Sequence, residues 1–148
     1  MINKKILITG GAGFIGHHLT RSLINKKYFV KVIDKNSINF YKKKFKNLIK
    51  NKKFSYMQID MNSTIKTKFY NISHVFHLAA SLGVKNINEN PYETFKNNIN
   101  SLVGLIDNLK KNNPNCILVY FSTSEVYSPL VKKKQIKIPT REDIDLLI

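Results

Sequence analysis

Short apolar runs and longer segments of helical spacing alternate along the whole chain. The first run, Ile6-Leu7-Ile8, leads through Thr9 into a glycine-rich turn. From Phe14 to about Ile24 the apolar positions then recur as on one face of a helix. Strand-like runs follow from Tyr28 to Ile33, from Phe54 to Ile59, from His74 to Leu78 and from Cys116 to Phe121. Residues 42–50 read as a basic amphipathic helix with Phe45, Leu48 and Ile49 on its inner face. Residues 91–111 read as a long helix, with Pro91 suited to the first helical position and Phe95, Ile99, Leu102, Leu105, Ile106 and Leu109 at helical spacing. Asn113-Pro114-Asn115 breaks it. This alternation is the pattern of an α/β domain with right-handed crossovers. The expectation is a doubly wound parallel sheet of order 3-2-1-4-5, with helices on both faces.

With 148 residues and 43% hydrophobic content, the chain is sized for one core, and residues 1–148 are read as one domain. Its 25 Lys and Arg against 9 Asp and Glu give a net charge of +16. Such an excess can serve nucleic acid or an anionic membrane. Here the lysines are scattered with Asn and Ile, as in Lys42-Lys43-Lys44, Lys52-Lys53 and Lys132-Lys133-Lys134, and no aromatic residues interleave with an Arg-rich face. Neither nucleic acid nor a membrane is expected as a partner, and the positive field would instead draw in an anionic cofactor. Cys116 is the only cysteine, so no disulfide framework or metal cluster is expected, and a reducing cytoplasm fits. It reads as a small buried hydrophobe. The apolar run ahead of the glycines is too short for a signal core or a membrane span, which argues for a soluble protein.

Candidate chemistry begins at Thr9-Gly10-Gly11-Ala12-Gly13-Phe14-Ile15-Gly16, a phosphate-binding turn between a buried strand and a helix. Gly10 can take backbone angles closed to other residues. Gly13 leaves room for a pyrophosphate, the first helical N–H groups face it, and Gly16 lets helix and strand pack closely. A dinucleotide-binding unit also requires a carboxylate about 20 residues further on for the adenosine ribose. Asp34, closing the second strand, fills that place, and its charge would repel a 2′-phosphate. NAD is therefore favoured over NADP.

Ligands of such sheets gather outside the carboxyl ends of the strands. Asp60, after the third strand, is placed to accept from an adenine amino group, although Asn62 or Ser63 there could equally mark a helix cap. Ala79 and Ala80 follow the fourth strand, and small residues there let backbone lie against a cofactor. His77 reads as a packed, hydrogen-bonded residue in preference to a general base. Gly83, Val84 and Lys85 read as either a ligand-contacting or a plain loop.

Taken in order, the glycine turn, Asp34, Asp60, His77-Leu78-Ala79-Ala80, Asn98 within Asn97-Asn98-Ile99-Asn100, and Ser122-Thr123-Ser124-Glu125-Val126-Tyr127 resemble the extended short-chain dehydrogenase/reductase family. Within it they resemble the NAD-dependent nucleotide-sugar epimerases, dehydratases and decarboxylases, over essentially the whole chain. The resemblance implies a Rossmann-type sheet and a bound NAD that takes a hydride from a sugar carbon and returns it. It places Gly10, Gly13, Phe14, Ile15 and Gly16 at the pyrophosphate, Asp34 at the ribose, and Asp60 and Met61 at the adenine. Leu78, Ala79, Ala80 and Ser122 would line the nicotinamide side, Asn98 would tie the long helix to the cofactor strands, and Thr123 would be the catalytic hydroxyl. A UDP-sugar substrate and a homodimer of the full-length protein follow from the same resemblance.

Two departures bear on activity. Many dehydratases of the family carry an Asp where Ser124 stands, which weakens a dehydratase reading. The family's Y-x-x-x-K pair, phenolate base and pKa-lowering cation, should follow the Thr123 loop. No such pair follows Tyr127. The one spelling, Tyr92-Glu93-Thr94-Phe95-Lys96, precedes the Thr123 strand and is out of order for that role. The chain is therefore read as the amino-terminal, cofactor-binding portion of a longer enzyme, lacking the substrate domain and inactive alone. A UDP-glucose 4-epimerase-like activity is the leading expectation. A 4,6-dehydratase or UDP-glucuronate decarboxylase is the alternative within the family, and a non-catalytic NAD-binding module the alternative outside it.

Overall fold

The structure, a computed structural model, describes residues 5–63, 67–81, 88–127, 140 and 141. The loop at Gly83, Val84 and Lys85 and the lysine run at 132–134 lie outside the described residues. Five strands, β1 (Lys5–Thr9), β2 (Phe29–Asp34), β3 (Phe54–Gln58), β4 (Ile72–His77) and β5 (Ile117–Tyr120), form one sheet of order β3-β2-β1-β4-β5. All neighbours are parallel, with Leu7 in register with both Lys31 and Val75. Among the described residues, the helical elements include α1 (Phe14–Asn25), a single turn α2 (Lys42–Phe45) after a 3-10 turn at Ile38–Tyr41, α3 (Pro91–Asn112) and a 3-10 turn at Ser124–Tyr127. This is the expected doubly wound sheet.

Strand residues point alternately to the two faces, so the apolar centre of β1, Ile6 to Ile8, feeds two cores. Ile6 and Ile8 join Val30, Val32, Ile24 of α1 and Phe45 of α2 on one face. Leu7 joins Ile33, Val75, Phe69 and, from α3, Leu105 and Leu109 on the other. Cys116 is half-buried against this second core, and its burial pushes the thiol pKa up.

Two expectations about helix faces need correction. In α3 the buried positions are Thr94, Ser101, Leu105 and Leu109, whereas Phe95, Ile99 and Ile106 stay exposed, Phe95 at 68%. Thr94 and Ser101, small and polar, take buried places where apolar spacing alone points to larger neighbours. The helix expected at 42–50 ends as an α-helix at Phe45. Leu48 N–H then bonds the Phe45 carbonyl in a tighter turn, burying Leu48 and leaving Ile49 exposed at 43%. After α3, buried Asn113 accepts from Ile72 N–H and donates to the Phe69 carbonyl, fixing the start of β4.

A candidate dinucleotide cleft at the carboxyl ends of the strands

The chain turns from β1 into α1 through Gly10, whose φ of +63° is left-handed. A Cβ there would lie 2.7 Å from the Ala79 nitrogen, so both backbone angle and packing require glycine. At Gly16 a Cβ would lie 2.5 Å from Gly11 Cα, which ties this glycine to close contact between helix and turn. Gly13 differs. Its Cβ would meet only the Gly10 carbonyl oxygen, at 3.1 Å, so folding leaves the space above Gly13 nearly open. Gly13 N–H closes the turn on Gly10 O at 3.0 Å, and no side chain caps the helix that follows. The uncapped N–H groups of the first turn suit an anion. Phe14 and Ile15 there are exposed.

Asp34 sits behind this turn at 8% exposure. Its Oδ2 accepts from Ala12 N–H at 3.1 Å and its Oδ1 from Asn36 N–H at 3.2 Å. An ionised carboxylate has about four acceptor sites, so sites remain for ribose hydroxyls. The segment after Asp34 is pinned from β3: Tyr56 O–H donates to the Asn36 carbonyl and Gln58 to the Lys35 carbonyl. Burial, followed by the charge of Asp34, raises the Tyr56 pKa well above its ordinary value and keeps this phenol a donor. Asn36 also donates to Tyr41 Oη at 2.9 Å.

Asp60 accepts from Asn62 N–H at 2.9 Å through Oδ1, and its carbonyl accepts from the Ser63 hydroxyl at 2.7 Å. These are local turn bonds, and Asp60 lines the cleft. On the other side, Leu78 N–H bonds Thr9 O and Ala79 N–H bonds Thr9 Oγ1, drawing the small-residue loop against Gly10. His77 is buried, with Nδ1 at 2.7 Å from Thr9 Oγ1, and burial lowers its pKa. This is the packed histidine of the sequence reading. Asn98 accepts from Ser81 N–H at 2.7 Å and donates to Ser81 O, tying α3 to the loop after β4.

Gly10, Gly13, Asp34, Asp60, Met61, Leu78, Ala79, Ala80 and Asn98 line one cleft of about 250 Å³. Ser122 and Thr123 follow β5 at the same sheet edge, are exposed, and do not line it. Nor do Phe14, Ile15 and Gly16 line it. Tyr92 and Lys96 do not line it either. The Lys96 ammonium lies 3.7 Å from a Glu93 carboxylate oxygen and 5.6 Å from the centre of the Tyr92 ring. The cleft also takes in Lys35, Asn36, Tyr41, Ile59, Ser81 and Ser101. Ile59 and Ser81 are legible as neighbours of Asp60 and Ala80. Tyr41 carries no such signal, since it arrives through an irregular segment.

A glycine turn at the carboxyl edge of a parallel sheet, with a carboxylate behind it at the end of β2, defines a Rossmann-type dinucleotide-binding protein. A family model described as GDP-mannose 4,6 dehydratase matches residues 7–142, and the chain belongs to the extended short-chain dehydrogenases/reductases, among the NAD-dependent nucleotide-sugar epimerases and dehydratases. It is 35% identical over 129 residues to a UDP-N-acetyl-alpha-D-glucosaminuronate decarboxylase of Bacillus cytotoxicus, covering 85% of this chain and 38% of that protein. A UDP-N-acetylglucosamine 4-epimerase structure from Methanobrevibacter ruminantium superposes with a TM-score of 0.72 at 28% identity, over 99% of this chain and 45% of that one. A UDP-glucose 4-epimerase from Bifidobacterium longum, solved with NAD+ and UDP, gives 0.68 at 26% identity, over 84% and 38%. The chain thus spans less than half the length of these relatives. Among the described residues, no helix is long and apolar enough to cross a membrane.

Proposed function

We propose that the protein serves a nucleotide-sugar 4-epimerase, holding NAD in the cleft while a UDP-sugar is presented at the Thr123 edge. The observation that carries this reading is the convergence on one cleft of the open space above Gly13, the Asp34 carboxylate and the small-residue loop at Ala79 and Ala80. The geometry fits the cofactor: a pyrophosphate needs the space a Cβ would fill, and a ribose needs the remaining acceptor capacity of Asp34. When bound, the nicotinamide accepts a hydride from the sugar and returns it.

The chain's own residues hold and orient. Gly10, Gly13, Phe14, Ile15 and Gly16 receive the pyrophosphate, Asp34 the ribose, and Asp60 and Met61 the adenine. Leu78, Ala79, Ala80 and Ser122 border the nicotinamide side, with Asn98 keeping that loop in place. Thr123 holds the sugar hydroxyl, but at neutral pH it is no base. Proton removal therefore calls for a Tyr and Lys outside these 148 residues, and residues 1–148 act as the cofactor-binding domain of a cytoplasmic enzyme. The exposed stripe of Tyr92, Phe95, Ile99, Val103 and Ile106 on α3 supports a homodimer. Decarboxylation is the second reading, favoured by the 35%-identical relative.

The test has two parts. Calorimetric titration should show saturable NAD binding. The protein extended to include the Tyr and Lys should interconvert UDP-glucose and UDP-galactose. Release of carbon dioxide from a UDP-uronate without epimerisation would select the decarboxylase, and NAD binding without turnover in the extended protein would leave a binding module.

A further inference from the structure

Ala12, in the middle of the glycine turn, is held at both ends of its main chain by side chains of opposite charge. Its N–H donates to Asp34 Oδ2 at 3.1 Å, and its carbonyl accepts from Lys44 Nζ at 3.2 Å. The lysine comes from α2, outside anything the glycine motif specifies. Two contacts aim it. His17 Nε2 donates to the Lys44 carbonyl at 3.1 Å from across α1, and the Lys44 ammonium lies 5.2 Å from the centre of the Tyr41 ring. The next residue, Phe45, is fully buried with its ring 5.6 Å from that of His17. Displacing α2 would therefore open the core.

The peptide between Ala12 and Gly13 is planar, so its carbonyl and its N–H point in opposite directions. Lys44 draws the carbonyl one way, while the N–H of the same peptide closes the turn on Gly10 O at 3.0 Å. A cation on the carbonyl polarises the peptide and strengthens that closing bond. Asp34 meanwhile places a negative charge directly behind a turn whose open face would meet a pyrophosphate. Like charges repel there, and the Lys44 ammonium, held on the carbonyl of the same Ala12, brings a positive charge to the turn. Lys44 is solvent-exposed, so its bond contributes little to the free protein, and the effect grows when a ligand covers the turn.

We propose that Lys44 is a positioning residue for dinucleotide binding, which acts through the Ala12–Gly13 peptide and offsets the charge of Asp34 beneath the pyrophosphate. The proposal rests on the reading of the cleft as an NAD site. Calorimetric titration of NAD, ADP and adenosine into the protein and its Lys44→Met, Lys44→Gln and Lys44→Arg variants tests it. Lys44→Met should weaken NAD and ADP about tenfold and adenosine less than about twofold. Lys44→Arg should recover most of the loss, and Lys44→Gln, a donor without charge, only part. Thermal unfolding without ligand monitors folding, and the Gln and Arg variants carry the comparison if the Met variant does not fold. Unchanged NAD affinity in Lys44→Met and Lys44→Gln, equal losses for adenosine and NAD, or no recovery with arginine would overturn the proposal alone. Failure of the unaltered protein to bind NAD would overturn both it and the reading beneath it.

Discussion

Thr9 Oγ1 and His77 Nδ1 lie 2.7 Å apart at the adjoining ends of β1 and β4, where both residues are buried. The same hydroxyl accepts from Ala79 N–H at 3.3 Å. A buried hydroxyl needs a hydrogen-bond partner, and Nδ1 is the one at hand. Burial lowers the His77 pKa and so favours the neutral ring. The ring stacks on that of Tyr120 with centroids 6.1 Å apart. One short bond thus joins the glycine turn to the opposite wall of the cleft.

Protonating His77 would place a charge inside this buried pairing of β1 and β4. Burial lowers the His77 pKa below its ordinary value near 6.5, and burial likewise lowers that of His17. The unfolded chain therefore binds these protons more readily, and stability is full above about 6.5 and falls as pH drops through and below that value. Urea unfolding at a series of pH values should show the decline. His77→Asn, which keeps an acceptor near Nδ1 and cannot titrate, should flatten it and leave a smaller slope from His17.

The glycines of the turn should separate folding from binding. Gly10→Ala combines a positive φ with a backbone clash and should cost more than about 2 kcal/mol of stability. Gly13→Ala meets a single oxygen at 3.1 Å and should cost less than about 1 kcal/mol, yet weaken NAD more than about tenfold by filling the pyrophosphate space. Urea melts and calorimetry on the same two variants decide the matter. Equal effects on both quantities in both variants would contradict it.

Asp34 should set the choice between NAD and NADP. The unaltered protein is expected to bind NAD more tightly, and Asp34→Ser with an Arg introduced nearby should relax or reverse the order. Because Asp34 also holds Ala12 N–H, the Ser variant should lose about 1 kcal/mol of stability as well. Paired titrations with the two dinucleotides provide the test.

Residues 1–148 alone should show no turnover on UDP-glucose. In the extended enzyme Thr123→Val should lower kcat by roughly 10²-fold or more, the scale of one acid–base contributor. Tyr92→Phe should change it little, since Tyr92 stands on the exposed first turn of α3. A spectrophotometric epimerase assay with these two variants would expose a wrong assignment by inverting their order.

Much of this molecule is written in short stretches of chain. Each strand overlaps one of the strand-like runs, the left-handed Gly10 can be anticipated because a sharp strand-to-helix turn requires it, and Asp34 is legible because it ends β2 at the proper distance. Such features depend on backbone preference and spacing, which neighbouring residues determine. The sheet order follows from them, since right-handed crossovers leave few other ways to wind.

What the tertiary structure alone decided are the pairings between distant residues. Apolar spacing on α3 allows several faces to turn inward, and only packing in the folded chain buries Thr94, Ser101, Leu105 and Leu109 while leaving Phe95 outside. Tyr41 enters the cleft because Asn36 and the pinned segment after Asp34 bring it there. Thr9 meets His77 across 68 positions, and Lys44 meets Ala12 across 32. The first of these pairs exists because the sheet sets β4 beside β1, the second because Phe45 anchors α2 in the core. No local pattern can encode a contact whose geometry is settled by where separate elements come to rest.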